Sequence, residues 1–397
     1  MAQFTVPQAG ISLRQLLPEG QFIGAADVVV RSCCGSWSDC RTDDLFVALV
    51  DSDGDGHDHV AQALARGACG VVGERLLAIP KPQCIVEDTR QAFGQICHRL
   101  AGNPARHLNV IGVTGTTGKT VTAHLIRSIL QTADEPTDVL SSLEPKAAGT
   151  ARGDYQPDAT GLARGLSAMS RAGFRHAVVE APSINLARHG FAGIDLNVAV
   201  ITNIRREHLD YHTTVANYRA AKARLLDYLS PSGFVIINAD DPISAQLLDQ
   251  IPAPTLTVGI RNTAEISAEV LESHPGEQTI LLRAGQQAIP VRVPMIGMHH
   301  VYNCLAATAT ALVLGIDVPQ IARGLESAGA IPGRLEAVQC GQSFQVYVDV
   351  ARTPHQLAQA LHAVRLDFVH PITGARLAFA CDPPADLRAL VDALRAR

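Results

Sequence analysis

The chain has 397 residues, 47% of them hydrophobic and 18% charged, with a formal net charge of −5 at pH 7. So much apolar side chain buries enough surface to offset the entropy of ordering, which excludes intrinsic disorder. The acidic balance lacks the basic footprint of a nucleic-acid-binding protein.

From Met1 to Gly20 there is no charged start followed by an apolar core, so no secretory signal is expected. No apolar run reaches the roughly 18–20 residues of a spanning helix, and Cys304–Ile316, interrupted by threonines, reads as a buried helix. Nine scattered cysteines form no C-x-x-C pair and show no zinc-type histidine spacing. They predict free, mostly buried thiols in a reducing compartment, hence a cytoplasmic protein without membrane insertion.

Short β-branched runs at Leu45–Leu49, Gly70–Val72, Asn109–Val113, Ala177–Glu180, Val198–Thr202, Phe234–Asn238 and Gln345–Val350 alternate with Ala/Leu/Arg-rich stretches. That alternation predicts α/β units built on mostly parallel sheets. Breaks near Gly102-Asn103-Pro104 and Ile331-Pro332-Gly333 divide the chain into pieces 1–105, 106–332 and 333–397. The last piece is short against the roughly 100–150 residues of a typical domain.

The strongest motif runs from Asn109 to Thr120: an apolar strand, the turn Gly115-Thr116-Thr117-Gly118, then Lys119, Thr120 and a helical stretch. Its glycines let backbone N–H groups face phosphate oxygens at a helix N-terminus. Lys119 would reach the β- and γ-phosphates and Thr120 would ligate Mg²⁺, although Val113 stands where the generic pattern places its first glycine.

Glu180 ends one strand and His208 follows another, so both are candidate Mg²⁺ ligands; taken singly, each also fits a structural ion-pair or capping role. Val215, Tyr218, Lys222, Leu225 and Leu229 fall on one stripe of a predicted helix over 215–229. Lys222 within that stripe either snorkels to water or is buried and paired or modified. Only four of the 33 basic Lys and Arg residues are lysines, Lys81, Lys119, Lys146 and Lys222, so each invites a reason.

These motifs resemble the Mur ligases, ATP-dependent amide-forming enzymes of peptidoglycan synthesis. The most similar branch adds the third amino acid, diaminopimelate or lysine, to UDP-N-acetylmuramoyl-L-alanyl-D-glutamate. The loop Gly112–Thr120 matches, with Thr117 where the family usually has Asn, and so do Thr202 to His212 and Ala220-Ala-Lys222. Asn238 to Pro242, Gly297 to Asn303, Gly333-Arg334 and Val348-Asp349 extend the match.

The resemblance implies a three-part architecture: an N-terminal UDP-substrate domain, a central P-loop ATPase domain and a shortened Rossmann-like C-terminal part. It implies ATP and Mg²⁺ as cofactors, carbamylation of Lys222, metal placement by Glu180, His208 and Lys222, and nucleotide contacts from Asn303, Arg334 and Asp349. UDP-muramoyl-peptide and an amino acid would be the small-molecule substrates, with Ser183 on the acceptor side.

Departures cluster at the acceptor sites. Ser36-Trp37-Ser38 replaces D-S-R ahead of Leu45–Ala48, and Tyr155-Gln156-Pro157 replaces T-T-P. Glu180-Ala-Pro-Ser183-Ile184 replaces E-V-S-S-H, and a family arginine aligns with Gly190 or, after a shift, Arg188. Asp349-Val-Ala-Arg352-Thr-Pro354 replaces D-Y-A-H-T-P, and no D-N-P-R segment occurs before Arg397. These departures raise two alternatives: a non-catalytic protein that binds nucleotide and a partner protein, or a ligase for a different carboxylate.

Overall fold

The computed structural model describes residues 10–24, 27–51, 54–141, 157–248, 251–274, 276–329, 331, 334, 336–338, 346–350, 366–369 and 376–379. Lys146, Tyr155, Gln156, Pro332, Gly333 and Arg352 to Pro354 lie outside them.

A five-stranded sheet occupies the N-terminal part, in the order Gln21–Ile23, Gln83–Ile85, Gly70–Gly73, Leu45–Val47, Cys33–Cys34. Its pairings are parallel except at the Gln21–Ile23 edge. The alternation of strand side chains sorts this core into two faces. Leu45, Val47 and Val72 join Leu16, Ile96 and Leu100 on one side. Phe46 and Val71 join Cys34, Cys40, Val60 and Ala63 on the other. The helix Thr89–Leu100 covers the first face and is capped by Asp88, whose carboxylate accepts from the Arg90 and Gln91 N–H groups at 2.8 Å each.

The larger sheet has nine strands, in the order Thr137–Leu140, His176–Glu180, Asn109–Thr114, Leu196–Ile201, Leu229–Asn238, Thr255–Gly259, Ile266–His274, Glu277–Ala284, Gln287–Val293. Asn109–Thr114 and Thr137–Leu140 both pair in parallel with His176–Glu180, whereas the last three strands form an antiparallel meander. The chain thus leaves Asn109–Thr114, builds strands on one side of it and returns on the other. Such a reversal is where open α/β sheets bind ligands, beyond the carboxyl ends of the strands.

By contact density the chain divides into two units. One comprises the segments up to Thr114, Pro136–Ala199 and Asp210–Gly233; the other comprises Gly115–Glu135, Val200–Leu209 and everything from Phe234 onward. In the first, Leu162, Leu166, Met169, Val179, Leu186, Phe191, Leu196 and Leu225 form a continuous core with Val110. In the second, the helices Lys119–Thr132, Met298–Val313 and Val318–Glu326 bury Leu125, Ile129, Val301, Leu305 and Ile321 completely.

Every strand expected between Leu45 and Val350 is present within a few residues of its expected bounds. The predicted helix over 215–229 is α-helical only from Val215 to Ala223; a 3-10 turn carries it to Tyr228, and Leu229 begins a strand. Tyr218, Lys222 and Leu225 nevertheless remain buried, because the tighter turn keeps the stripe on the core side. Among the described residues no helix is long and apolar enough to cross a membrane.

Candidate functional site

The loop Gly115–Gly118 joins the strand Asn109–Thr114 to the helix Lys119–Thr132. Gly118 is the helix N-cap with φ +87° and supplies no side-chain cap. A Cβ there would strike Asn303 Oδ1, so both the backbone conformation and the neighbour require glycine. The first-turn N–H groups consequently have no capping side chain, the arrangement that receives phosphate oxygens.

Residues 202–205 hold this loop. Thr202 Oγ1 donates to Thr117 O at 2.7 Å, and Asn203 Nδ2 donates to the same oxygen at 3.0 Å. Asn203 Oδ1 accepts from Thr117 N at 3.0 Å, and Asn203 O accepts from Thr116 N at 2.9 Å. Thr116 Oγ1 accepts from Arg205 N at 2.8 Å. Asn303 Oδ1 accepts from Thr122 Oγ1 at 3.4 Å, tying the helix Met298–Val313 to the phosphate-loop helix. Lys119 Nζ donates to Gly115 O at 2.7 Å and Thr116 O at 3.1 Å, placing a compact positive charge at the mouth of its own loop. Thr120 is buried one residue into the helix.

Glu180 lies at the carboxyl end of its strand, in register with Val113, two residues before Gly115. Thr114 Oγ1 donates to Ala181 O at 2.8 Å, securing this edge. Glu180 is buried, and its Oε1 has no hydrogen-bond partner among the described residues. A buried carboxylate oxygen left without a donor is costly, and such an oxygen suits a hard cation. In that respect Glu180 fits Mg²⁺.

Ser183 and Lys222 are linked through two residues that the motif reading left without a role. Ser183 Oγ and His212 Nε2 are hydrogen-bonded at 3.0 Å. The His212 ring meets Tyr218 edge-on with centroids 5.3 Å apart, and Lys222 Nζ lies 4.9 Å from the centroid of Tyr218. Lys222 is only 1% exposed, so its ammonium does not snorkel to water. The spacing His208-x-x-x-His212 was visible, but nothing local told which histidine would turn inward. His208 is exposed, with φ +53° and its Nε2 3.9 Å from Glu207.

Nearby in the chain, Arg188 Nε donates to Tyr211 Oη at 3.1 Å, and its guanidinium lies 3.6 Å from Asp51. Gly190 packs against Asn185 with no room for a side chain. Arg334 is half-buried beside His300, and its N–H donates to Ile331 O at 3.0 Å. Asp349 is exposed. The structure therefore gathers Gly115–Thr120 with Asn303, and Ser183 with Lys222, while His208 and Asp349 face solvent.

Residues 113–311 match the family model of the Mur ligase middle domain. The chain is 35% identical over 334 residues to the UDP-N-acetylmuramoyl-L-alanyl-D-glutamate–2,6-diaminopimelate ligase of Geobacillus thermodenitrificans, spanning 81% of this chain and 67% of that one. Its structure resembles that of a UDP-N-acetylmuramoyl-L-alanyl-D-glutamate–2,6-diaminopimelate ligase, with TM-score 0.75, 24% identity and coverage of 89% and 74%. It also resembles MurF from Acinetobacter baumannii, with TM-score 0.61, 26% identity and coverage of 88% and 75%.

Proposed function

The chain belongs to the Mur ligase family, and on that premise we propose that it joins an amino acid to the carboxylate of a UDP-muramoyl-peptide at the expense of ATP. The observation that carries this reading is the phosphate loop, held by Thr202–Arg205 with its helix N-terminus free of a side-chain cap.

The substrate carboxylate attacks the γ-phosphorus of ATP, giving an acyl phosphate and ADP. The amine of the incoming amino acid then adds to the acyl carbon, and phosphate leaves as the amide forms. The chain's task is positioning and charge neutralisation. The loop N–H groups bind the phosphates, and Lys119 turns from its own carbonyls to the transferring phosphoryl group. Asn303 buttresses Gly118, and Arg334 and Asp349 contact the nucleotide. Thr120, Glu180, His208 and a carbamylated Lys222 would hold Mg²⁺, which when bound neutralises the charge developing on the phosphoryl oxygens. Ser183, fixed by His212, contacts the acceptor.

On this reading residues 1–105 carry the UDP-substrate part, 106–332 the ATP part and 333–397 the C-terminal part, in a cytoplasmic enzyme. The measurement is ATP-dependent phosphate release with UDP-muramoyl-dipeptide plus diaminopimelate or lysine. Stimulation well above background is expected. ATP binding without stimulation by any muramoyl substrate would overturn the assignment and leave the non-catalytic alternative, which the ligase names of the relatives do not favour.

A further inference from the structure

The strand–turn–strand segment Cys33–Val47 brings together three side chains that sequence spacing keeps apart. Cys34 ends its strand on the same face as Phe46. Cys40 follows the 3-10 turn Trp37–Asp39, and Asp44 immediately precedes the strand Leu45–Val47. One donor atom from each of Cys34, Cys40 and Asp44 lies within 4.8 Å of the other two, and all three residues are buried. We propose that Cys34, Cys40 and Asp44 bind a thiophilic divalent cation, of which Zn²⁺ is the best match.

Ligand chemistry argues for this first. Two thiolates and a carboxylate are ordinary Zn²⁺ donors, and they lie close enough together for one ion to draw all three onto itself. Three protein donors leave a fourth position for water or a backbone oxygen.

Orientation argues for it second. The Asp44 carboxylate accepts from Ser32 Oγ on one oxygen and from Arg41 N at 2.8 Å on the other. Such outer contacts fix a ligating carboxylate. They leave its negative charge unpaired, since no basic side chain forms a salt bridge with Asp44 among the described residues. A buried carboxylate beside two thiols is a costly cluster until a cation joins it.

Charge balance argues third. In the metal-free protein both thiols donate to carbonyl oxygens, Cys34 Sγ to Leu45 O at 3.9 Å and Cys40 Sγ to Ala63 O at 3.7 Å. As the two S–Zn bonds form, each Sγ releases its proton to solvent. The product carries one net negative charge from two thiolates, one carboxylate and Zn²⁺. Arg66, whose Nε donates to Cys40 O at 2.9 Å, adds a positive charge nearby.

The consequence is a cross-link at the turn where Ser36-Trp37-Ser38 replaces the family's D-S-R. A disulfide between Cys34 and Cys40 would also close this turn, but it would leave Asp44 without a role.

The test uses the full chain purified in reducing buffer, freed of metal with a chelator and titrated with Zn²⁺ or Co²⁺ alone. Stoichiometric uptake with thiolate-to-cobalt charge-transfer absorption is expected. Asp44→Asn and Cys40→Ser should each weaken Zn²⁺ binding by at least the roughly 10–100-fold lost on removing even an outer-shell partner, while Cys69→Ser binds as the parent does. The Co²⁺ spectrum of the unsubstituted chain decides the matter even where Cys40→Ser fails to fold. Absence of the charge-transfer band, binding unchanged in Asp44→Asn, or a Cys34–Cys40 disulfide in freshly purified protein each overturns the proposal.

Discussion

Glu180 shows how a residue proposed to hold a metal can oppose stability. Its Oε1 is buried without a hydrogen-bond donor among the described residues, so one carboxylate oxygen of the metal-free protein goes unsatisfied. Glu180→Gln keeps the shape and removes the charge. It should stabilise the metal-free protein by about 1 kcal/mol, in the range of an unmet buried polar group, while raising the Mg²⁺ concentration needed for half-maximal turnover. Urea melts without metal and Mg²⁺ titrations of phosphate release measure the two effects. A substitution that lowered metal-free stability would show that Glu180 is a structural acceptor. The lysines extend the same logic, since in the proposed chemistry Lys119 and Lys222 occupy positions where a guanidinium would not serve. A planar fork does not place a compact charge at the loop mouth, and it cannot readily form a carbamate.

At the scale of elements, the phosphate-loop helix depends on close backbone approach. A Cβ on Gly324, in the helix Val318–Glu326, would meet the Ile129 backbone, and Ser128 Oγ donates to Gly324 O at 2.7 Å in the same contact. Gly324→Ala should therefore cost about 1–3 kcal/mol, the range for overpacking a tight contact. Gly329→Ala, with open space around it, should leave the urea midpoint nearly unchanged. Equal midpoints for the two variants would remove the helix contact from the argument.

The strands were legible because each is a short apolar run whose side chains sort onto two buried faces, as Leu45 and Phe46 do. The end of the helix at Ala223 was not, because the stripe Tyr218, Lys222, Leu225 keeps nearly the same facing in an α-helix or a 3-10 turn. The loop was legible down to Lys119 and Thr120. Its tether by Thr202 and Asn203 was not, since those hydrogen bonds join residues more than 80 positions apart and only the sheet order brings them together. The inward turn of His212 and the Cys34–Cys40–Asp44 cluster were hidden for a different reason: over these shorter spans the turn geometry, which the residue types do not specify, decides which side chains converge.

Across the whole molecule, buried neutral histidines set the response to acid. Burial pushes His98 down to about 4, and both its ring nitrogens lack hydrogen-bond partners among the described residues. Burial also lowers His300 strongly and His189 more modestly. Their unfolded forms take up protons near 6.5, so between that value and the folded pKa the unfolded chain binds more protons. Stability then falls as pH falls through this window. The carboxylates act lower on the scale. At Asp240 burial is outweighed by the N–H groups of Ile260, Arg261 and Asn262 and by the Tyr302 hydroxyl, so its pKa is lowered and its contribution is lost only below about 4. Acid sensitivity from pH 7 to pH 5 therefore belongs to the histidines. His98 alone should account for about 2 kcal/mol of it, since each pKa unit is worth about 1.4 kcal/mol. Trp37, the only tryptophan, is exposed on a turn of the N-terminal part that also holds the His98 helix, and its fluorescence reports urea unfolding of that part. His98→Phe keeps an aromatic ring and removes the titration, so its stability should change less than the parent's over that interval. Parallel pH profiles for the two proteins would mean that His98 finds a proton acceptor in the folded state.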